Sequence, residues 1–164
     1  MLTFQQGNMR FNYRIVGVAI HDGRILVHRA EKDDFWALAG GRGEFMETAT
    51  DTLRREMQEE IGVDVRVERL LWVVENFFPF EGLQFHEIGM YFLMTLPPDC
   101  PYLSQDTFYG QEFASGPDGE QRYHLIFQWL PLVGLDKVPL YPEFLRTGLQ
   151  ALPETIQHVV WTDE

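Results

Sequence analysis

The sequence has few of the residues that cross-link small secreted domains or bind polyanions. Cys100 is the only cysteine among 164 residues, which excludes a framework of internal disulfides and a cysteine zinc site. Only 13 lysine and arginine residues stand against 25 aspartate and glutamate residues, so the net charge is -12. Because nucleic acid polymers and anionic membranes are bound through clustered positive charge, we expect neither of them as the main partner.

Long apolar runs are also missing from the sequence. Each run ends well short of the roughly 20 apolar residues that a membrane-spanning helix needs. Residues 1–10 are polar and lack the apolar region of a secretion signal. We therefore expect a cytoplasmic protein in a reducing compartment. Cys100 lies in a proline-rich segment with no recognisable nucleophile context, so we expect no catalytic role for this thiol.

The hydrophobic content of 45% is enough for a core, and the length fits a single domain over residues 1–164. Strands are predicted where β-branched or apolar residues cluster, at 12–20, 24–29, 35–38, 64–78, 85–95 and 122–130. Helices are predicted at 47–61 and 142–152, and proline and glycine throughout 97–120 predict a long loop. This order of elements predicts an α/β sandwich with a mixed sheet.

Three glutamates in the first predicted helix share one face. At 100° per residue, Glu59 lies about 60° to one side of Glu56, and Glu60 lies about 40° to the other. Carboxylates this close repel one another when all are ionised. A hard divalent cation removes that repulsion, and ligands that are all oxygen suit Mg²⁺ or Mn²⁺. The helix face is therefore predicted to bind one of these metals.

The segment from Gly41 to Val63 resembles the Nudix box. In that pattern a glycine is followed by five residues, a glutamate, seven residues, and then Arg-Glu-apolar-any-Glu-Glu-any-Gly-apolar. The defined positions are filled here by Gly41, Glu47, Arg55, Glu56, Met57, Glu59, Glu60, Gly62 and Val63. The resemblance implies a Nudix-like α/β/α sandwich with a central mixed sheet. Ala39 stands where many members have proline, which we expect to change loop stiffness and not chemistry.

The resemblance also implies an activity and a set of site residues. Nudix proteins hydrolyse nucleoside diphosphates linked to another moiety, and water attacks one phosphorus of the diphosphate. The family pattern makes Glu56, Glu59, Glu60 and the backbone carbonyl of Gly40 ligands of Mg²⁺ or Mn²⁺. Glu47 and Arg55 would support them by joining the loop to the helix, although Arg55 alternatively pairs only with Glu59, four residues later.

The sequence leaves the general base and the substrate contacts open. Glu56 is the first choice as base, and Glu112 or Glu120 is the second. The candidates for substrate binding are Arg42, Glu112 and Glu120, and His86 with Glu87 is a candidate pocket pair. The expected partner is a small nucleoside diphosphate derivative, whose identity the sequence does not name.

Two other functions compete with hydrolysis. A non-catalytic module that senses nucleotide derivatives would be typical of an eroded box, and the box here is intact. Isomerisation of an isoprenoid diphosphate would need a cysteine and a glutamate in one pocket, and the loop around Cys100 does not favour this. Aromatic residues near the segment 97–120 are consistent with a homodimer.

Overall fold

The computed structural model describes the backbone of residues 1–116 and 119–163, and the side chains of residues 1–112 and 122–163. Eleven strands in this part of the chain are, in order, β1 Thr3–Gln6, β2 Met9–Val18, β3 Ile20–His21, β4 Arg24–Ala30, β5 Ala37–Leu38, β6 Gly40–Arg42, β7 Arg66–Phe80, β8 Leu83–Thr95, β9 Thr107–Gly116, β10 Gly119–Pro131 and β11 Gln157–Thr162. Two α-helices accompany them, α1 Ala49–Ile61 and α2 Leu145–Gly148.

The strands form two sheets. The first has the order β1-β2-β8-β7-β11, and β6 also pairs with β2. Two of its pairs are parallel, β2 with β8 and β7 with β11, so this sheet is mixed as predicted. The second sheet has the order β3-β4-β10-β9, with β5 paired to β4, and its pairs are antiparallel.

Each helix packs into a different core. Leu53, Met57 and Ile61 of α1 lie in one cluster of buried side chains, whereas Leu145 and Leu149, at α2, lie in a second cluster. The sheets therefore lie between the two helices, which confirms the predicted α/β/α sandwich. Among the described residues, no helix is long and apolar enough to cross a membrane.

Local signals at its two ends define α1. Thr48 caps the first turn, because its hydroxyl accepts a hydrogen bond from the backbone N–H of Asp51 at 3.2 Å. Gly62 ends the helix in the left-handed conformation, with φ of 68°, and its N–H bonds back to the helix. The predicted C-terminal boundary is confirmed, and the helix begins two residues later than predicted.

The prediction of a loop over residues 97–120 was wrong. β9 occupies much of this segment and pairs with β10 from residue 107 onward. Gly110 is a packing residue in that strand, because a Cβ there would lie 2.6 Å from the backbone oxygen of Glu60 and 2.7 Å from the Phe127 ring. The glycine lets α1 approach the strand closely and does not mark a turn.

The late helix is much shorter than predicted, and besides β9 the strands β1, β6 and β11 were not predicted. Leu145 and Arg146 donate backbone hydrogen bonds to carbonyls three residues earlier, so the segment after Pro142 begins as a tight turn and keeps only four helical residues. β1 and β11 lie at the edges of the first sheet. β1 forms a short hairpin with β2, whereas β11 pairs with β7, which is distant in sequence. The hairpin turns predicted at 22–23 and 81–82 are confirmed.

Candidate active site

Arg55 joins the loop before α1 to the helix itself. Its Nε and Nη2 donate hydrogen bonds to the two carboxylate oxygens of Glu47 at 2.8 and 3.0 Å. Nη2 also donates to the backbone oxygen of Arg42 at 3.2 Å, and Nη1 donates to Glu56 at 3.0 Å and to Glu59 at 3.3 Å. Both interactions that the sequence left open for Arg55 are therefore present in the structure.

Glu60 is the most deeply buried of the three helix carboxylates. The residue is 4% exposed, and neither of its carboxylate oxygens has a hydrogen-bond partner among the described residues. Burial, followed by the charges of Glu56 and Glu112, raises the pKa of Glu60 well above its usual value. An ionised carboxylate in such a place costs free energy unless a cation neutralises it, so this residue fits a metal ligand.

Glu56 and Glu59 differ from Glu60 in their environment. The Glu56 side chain is 16% exposed, and burial raises its pKa, although the charge and hydrogen bond of Arg55 act in the opposite direction. The Glu59 side chain is 50% exposed and projects further into solvent. The three glutamates of the predicted shared face therefore differ in exposure, which increases from Glu60 through Glu56 to Glu59.

A small cavity of about 100 Å³ connects these carboxylates to other elements. Its lining residues are Met1, Arg14, Gly41, Arg42, Glu44, Glu56, Glu59, Glu60, Gln111 and Glu112. Besides the three helix carboxylates, Glu44 and Glu112 line the cavity, and Glu112 comes from β9. In the described part of the chain, no three acidic, histidine or cysteine side chains are already gathered as a metal cage. The unpaired Glu60 oxygens and the all-oxygen donor set nevertheless fit a hard divalent cation.

The glycine loop passes directly beneath Glu56. A Cβ at Gly41 would collide with the Glu56 carboxyl group, so only glycine allows this close approach. Gly41 lines the small cavity, whereas Gly40 precedes it in β6 and is not among the lining residues. A metal ligand role for the Gly40 carbonyl stays a prediction.

Two arginines face one another beside the carboxylates. Arg14 of β2 and Arg42 of β6 are directly opposed in the antiparallel register. Burial, and then the charges of Arg14 and Arg10, lower the pKa of Arg42. Like charges that are directly opposed across strands destabilise the pair unless an anion lies near them. Arg42 was a predicted substrate contact, whereas Arg14 was not predicted, because its role depends on pairing with the distant β6.

A larger cavity of about 500 Å³ adjoins the small one and shares Arg14, Arg42 and Glu112 with it. Glu87, from the predicted pocket pair, lines this cavity. His86 does not, because its ring packs against Phe77 at 4.6 Å between centroids and against Phe11 at 5.4 Å. Successive residues of a strand point to opposite faces, so only one member of the pair enters the pocket.

Sequence reasoning missed several residues of the larger cavity, notably Asn12, His28 and Asn76. Asn76 interrupts an otherwise apolar strand face, which is the one local signal that could have marked it.

Of the other candidates, the Glu120 side chain lies outside the described residues. Cys100 packs against the first hydrophobic cluster and lines neither cavity, which removes the pocket that an isoprenoid isomerase would need.

Sequence comparison identifies relatives for part of the chain. A low-salt glycan biosynthesis protein of Haloferax volcanii is 35% identical over 98 residues, which cover 56% of this chain and 62% of that protein. The chain therefore spans less than two thirds of the length of this curated relative.

Solved structures share the fold at low sequence identity. A UDP-X diphosphatase is 20% identical, with a TM-score of 0.54 over 90% of this chain and 66% of that chain. An ADP-ribose pyrophosphatase from Streptococcus suis is 17% identical, with a TM-score of 0.56 over 92% of this chain and 98% of that chain.

The profile of the NUDIX domain matches residues 12–138. Since that match covers more than half of the chain, the protein belongs to the Nudix family.

Proposed function

We propose that this protein hydrolyses the diphosphate linkage of a nucleoside diphosphate derivative, with Mg²⁺ or Mn²⁺ as cofactor. The observation that carries the proposal is the Glu60 carboxylate, which is 4% exposed and for which the described residues offer no hydrogen-bond partner on either oxygen. Folding places this group among other carboxylates at the cost of desolvation. A bound divalent cation is the simplest compensation for that cost.

Glu56, Glu59 and Glu60 would hold the metal, with the Gly40 carbonyl as a further ligand. When bound, the metal would supply positive charge for the phosphoryl oxygens and would make a coordinated water more acidic. Arg55 fixes the carboxylate of Glu56 through its 3.0 Å hydrogen bond. The guanidinium is itself held by Glu47, so the carboxylate face is positioned before substrate arrives.

The two arginines would bind the diphosphate. Arg14 and Arg42 line both cavities and oppose one another across a strand pair, which concentrates positive charge where the cavities meet. An anion placed there relieves their mutual repulsion. The scissile linkage then lies beside the carboxylates, and the nucleoside extends into the larger cavity.

Glu56 is the proposed general base. Arg55 donates to its Oε1, which leaves Oε2 on the side of Gly41 to accept the proton of the attacking water. Glu112 is the alternative, because it faces the same cavity from β9.

The names of the structural relatives support this class of reaction, since both describe cleavage of a diphosphate bond. A small-molecule substrate, and not a nucleic acid polymer or a membrane, also agrees with the net charge of -12. Cytoplasmic localisation, in keeping with a single unpaired cysteine, and assembly as a homodimer stay predictions.

The test is product release from a panel of nucleoside diphosphate sugars, dinucleotides, nucleoside triphosphates and capped nucleotides, with Mg²⁺ and with Mn²⁺. The Glu59→Gln variant keeps the side-chain shape and removes a proposed metal ligand, and we expect turnover to fall by at least about a hundredfold. Glu154→Gln is the matched control, because Glu154 is exposed and lines neither cavity. It should retain full turnover.

Two outcomes would overturn the proposal. Full turnover in Glu59→Gln and in Glu60→Gln would show that the carboxylates are dispensable. Metal-dependent binding of a nucleotide derivative that is never cleaved would favour the sensing function instead.

A further inference from the structure

Three buried polar side chains form a row across the floor of the larger cavity. Asn12 of β2 pairs with Glu87 of β8, and Glu87 pairs with Asn76 of β7. Directly paired residues point to the same face of a sheet and lie about 5 Å apart. The three are 4%, 7% and 5% exposed, and all of them line the cavity.

Hydrogen bonds orient one end of this row. The Thr3 hydroxyl donates to Asn12 Oδ1 at 2.6 Å, which turns the amide nitrogen of Asn12 toward Glu87. That nitrogen lies 3.5 Å from Glu87 Oε2 and donates to it. Among the described residues, this is the one hydrogen bond to the Glu87 carboxylate. Asn12 is therefore a positioning residue for Glu87.

The other end of the row is unsatisfied. Asn76 Oδ1 is buried and has no hydrogen-bond partner within the part of the chain that the structure describes. An unpaired buried acceptor destabilises a folded protein unless a ligand or water supplies the missing donor. Since Asn76 lines a cavity that is open to a ligand, the structure offers an acceptor for an N–H group there.

The surroundings of the row fit a nucleobase. Phe78 and Phe85 form the next pair along the same face, and their rings stack with centroids 5.0 Å apart and planes 6° apart. In the opposite direction, Arg14 follows Asn12 by two residues and leads to the smaller cavity. The row thus lies between an aromatic surface and the proposed diphosphate site, where the base of a bound nucleotide would be.

We infer that this cavity selects guanine, with the Glu87 carboxylate and Asn76 Oδ1 accepting hydrogen bonds from the adjacent N1–H and N2–H groups of the base. This assignment rests on the proposed function, because the diphosphate directs the base into this cavity. Guanine alone among the common bases has two neighbouring N–H donors on one edge. Adenine and cytosine place an acceptor beside their amino group, and uracil places an acceptor on each side of its single N–H.

The charge state of Glu87 decides between guanine and adenine. Burial raises the pKa of Glu87, and the charge of Arg14, followed by the hydrogen bond from Asn12, opposes that rise. An ionised carboxylate only accepts hydrogen bonds and fits guanine, whereas a protonated one would also donate to N1 of adenine. Two N–H donors from guanine favour the ionised form and act against the effect of burial.

The experiment measures binding of GMP, AMP, UMP and CMP by calorimetry in the presence of Mg²⁺. These nucleotides contain no diphosphate bond, so the protein does not consume them by the proposed reaction. We expect GMP to bind at least about tenfold more tightly than the other three. Glu87→Gln replaces one acceptor by a donor and should weaken GMP binding by about tenfold or more. Glu75→Gln is the matched control, because Glu75 lies next to Asn76 in β7 and pairs with His158 on the opposite face.

Melting temperatures show whether each variant is folded. If Glu87→Gln does not fold, Asn76→Ala decides, since it removes the second acceptor and should also lower the preference for GMP. Equal binding of the four nucleotides, preference for AMP, or unchanged GMP preference in a folded variant would overturn the guanine assignment.

Hydrolysis assays separate this result from the proposed function. Cleavage of nucleoside diphosphate sugars without regard to the base would leave the proposed function intact and overturn the guanine assignment. Selective GMP binding without cleavage of any guanosine diphosphate derivative would support the assignment and overturn the proposed hydrolysis.

Discussion

Arg55 and Glu47 are joined by two hydrogen bonds, with Nε 2.8 Å from Oε2 and Nη2 3.0 Å from Oε1. Both side chains are largely buried, at 28% and 19% exposure. The guanidinium also donates to the backbone of Arg42, so one side chain fixes the loop, the strand before it and the helix. Planar two-point pairing of this kind is specific to arginine.

Replacement of Arg55 by lysine should therefore destabilise the fold. Lysine keeps the charge and loses the two-point geometry, and we expect the free energy of unfolding to fall by about 1–2 kcal/mol. Urea denaturation measures the change. Arg54→Lys is the control, because Arg54 makes a single 3.4 Å contact with Asp64 and both side chains are more than half exposed. An equal effect of the two substitutions would contradict a special role for Arg55.

Glu60→Gln should stabilise the metal-free protein at neutral pH. Burial raises the pKa of Glu60, so ionising it costs more in the folded state than in the unfolded state, and glutamine removes that cost. We expect a gain on the order of 1 kcal/mol in the free energy of unfolding without metal. Adding Mn²⁺ should then stabilise the wild type and not the variant.

Glu59→Gln separates metal binding from burial in the same measurement. Glu59 is half exposed, so its replacement should change the metal-free stability by less than about 0.5 kcal/mol. The stabilisation by Mn²⁺ should nevertheless be lost. For the Glu60→Gln variant of the preceding prediction, a lower free energy of unfolding without metal would contradict the expectation. It would mean that the buried Glu60 carboxylate has a favourable partner.

Gly41→Ala should impair turnover by displacing Glu56. The added Cβ would collide with the Glu56 carboxyl group, and a displacement of about 1 Å at a reacting group can cost a hundredfold in rate. We expect kcat to fall at least about tenfold. Gly134→Ala is the control. The added Cβ there meets nothing within 4 Å, so turnover should be kept. Because φ at Gly134 is 82°, alanine is strained there and the variant should lose some stability. Equal turnover in the two variants would show that the position of Glu56 does not limit the rate.

His28 should make the protein less stable in mild acid. Burial, and then the charge of Arg14, lower the pKa of His28 from 6.5 to about 3. Between these values the unfolded chain binds a proton that the folded protein does not, so the free energy of unfolding falls as the pH falls. The loss attributable to His28 is about 2 kcal/mol between pH 7 and pH 5.

Urea denaturation at both pH values checks this expectation in the wild type and in His28→Gln. The variant should lose about 2 kcal/mol less than the wild type over the same interval. His124→Gln is the control for loss of a histidine, since His124 is exposed and lines neither cavity. Parallel profiles for wild type and His28→Gln would mean that His28 is protonated equally in both states.

The success of sequence reasoning depended on how local each interaction is. The helix α1, its glycine cap and the shared face of Glu56, Glu59 and Glu60 depend on residues a few positions apart, and all were predicted. The strand β9 was missed because Gly110 carries no side chain where α1 packs, a contact that no local pattern reveals. Proline and glycine content alone therefore could not separate a loop from a closely packed strand.

The larger cavity was mostly beyond prediction for the same reason. Asn12, Glu87 and Asn76 come from three strands, and only the register of the sheet brings them together. Glu87 was a candidate because it interrupts a strand, but its neighbour His86 faces away. The opposition of Arg14 and Arg42 likewise follows from the pairing of β2 with β6.

The parallel pairing of β2 with β8 also bears on the order in which the chain folds. Asn12 and Glu87 are separated by 75 positions in sequence, whereas β7 and β8 are joined by a tight hairpin. Closing a long loop costs more conformational entropy than closing a hairpin, so β7 and β8 should associate before β2 joins them. A nascent chain can thus complete the helix with its carboxylates well before the floor of the larger cavity exists.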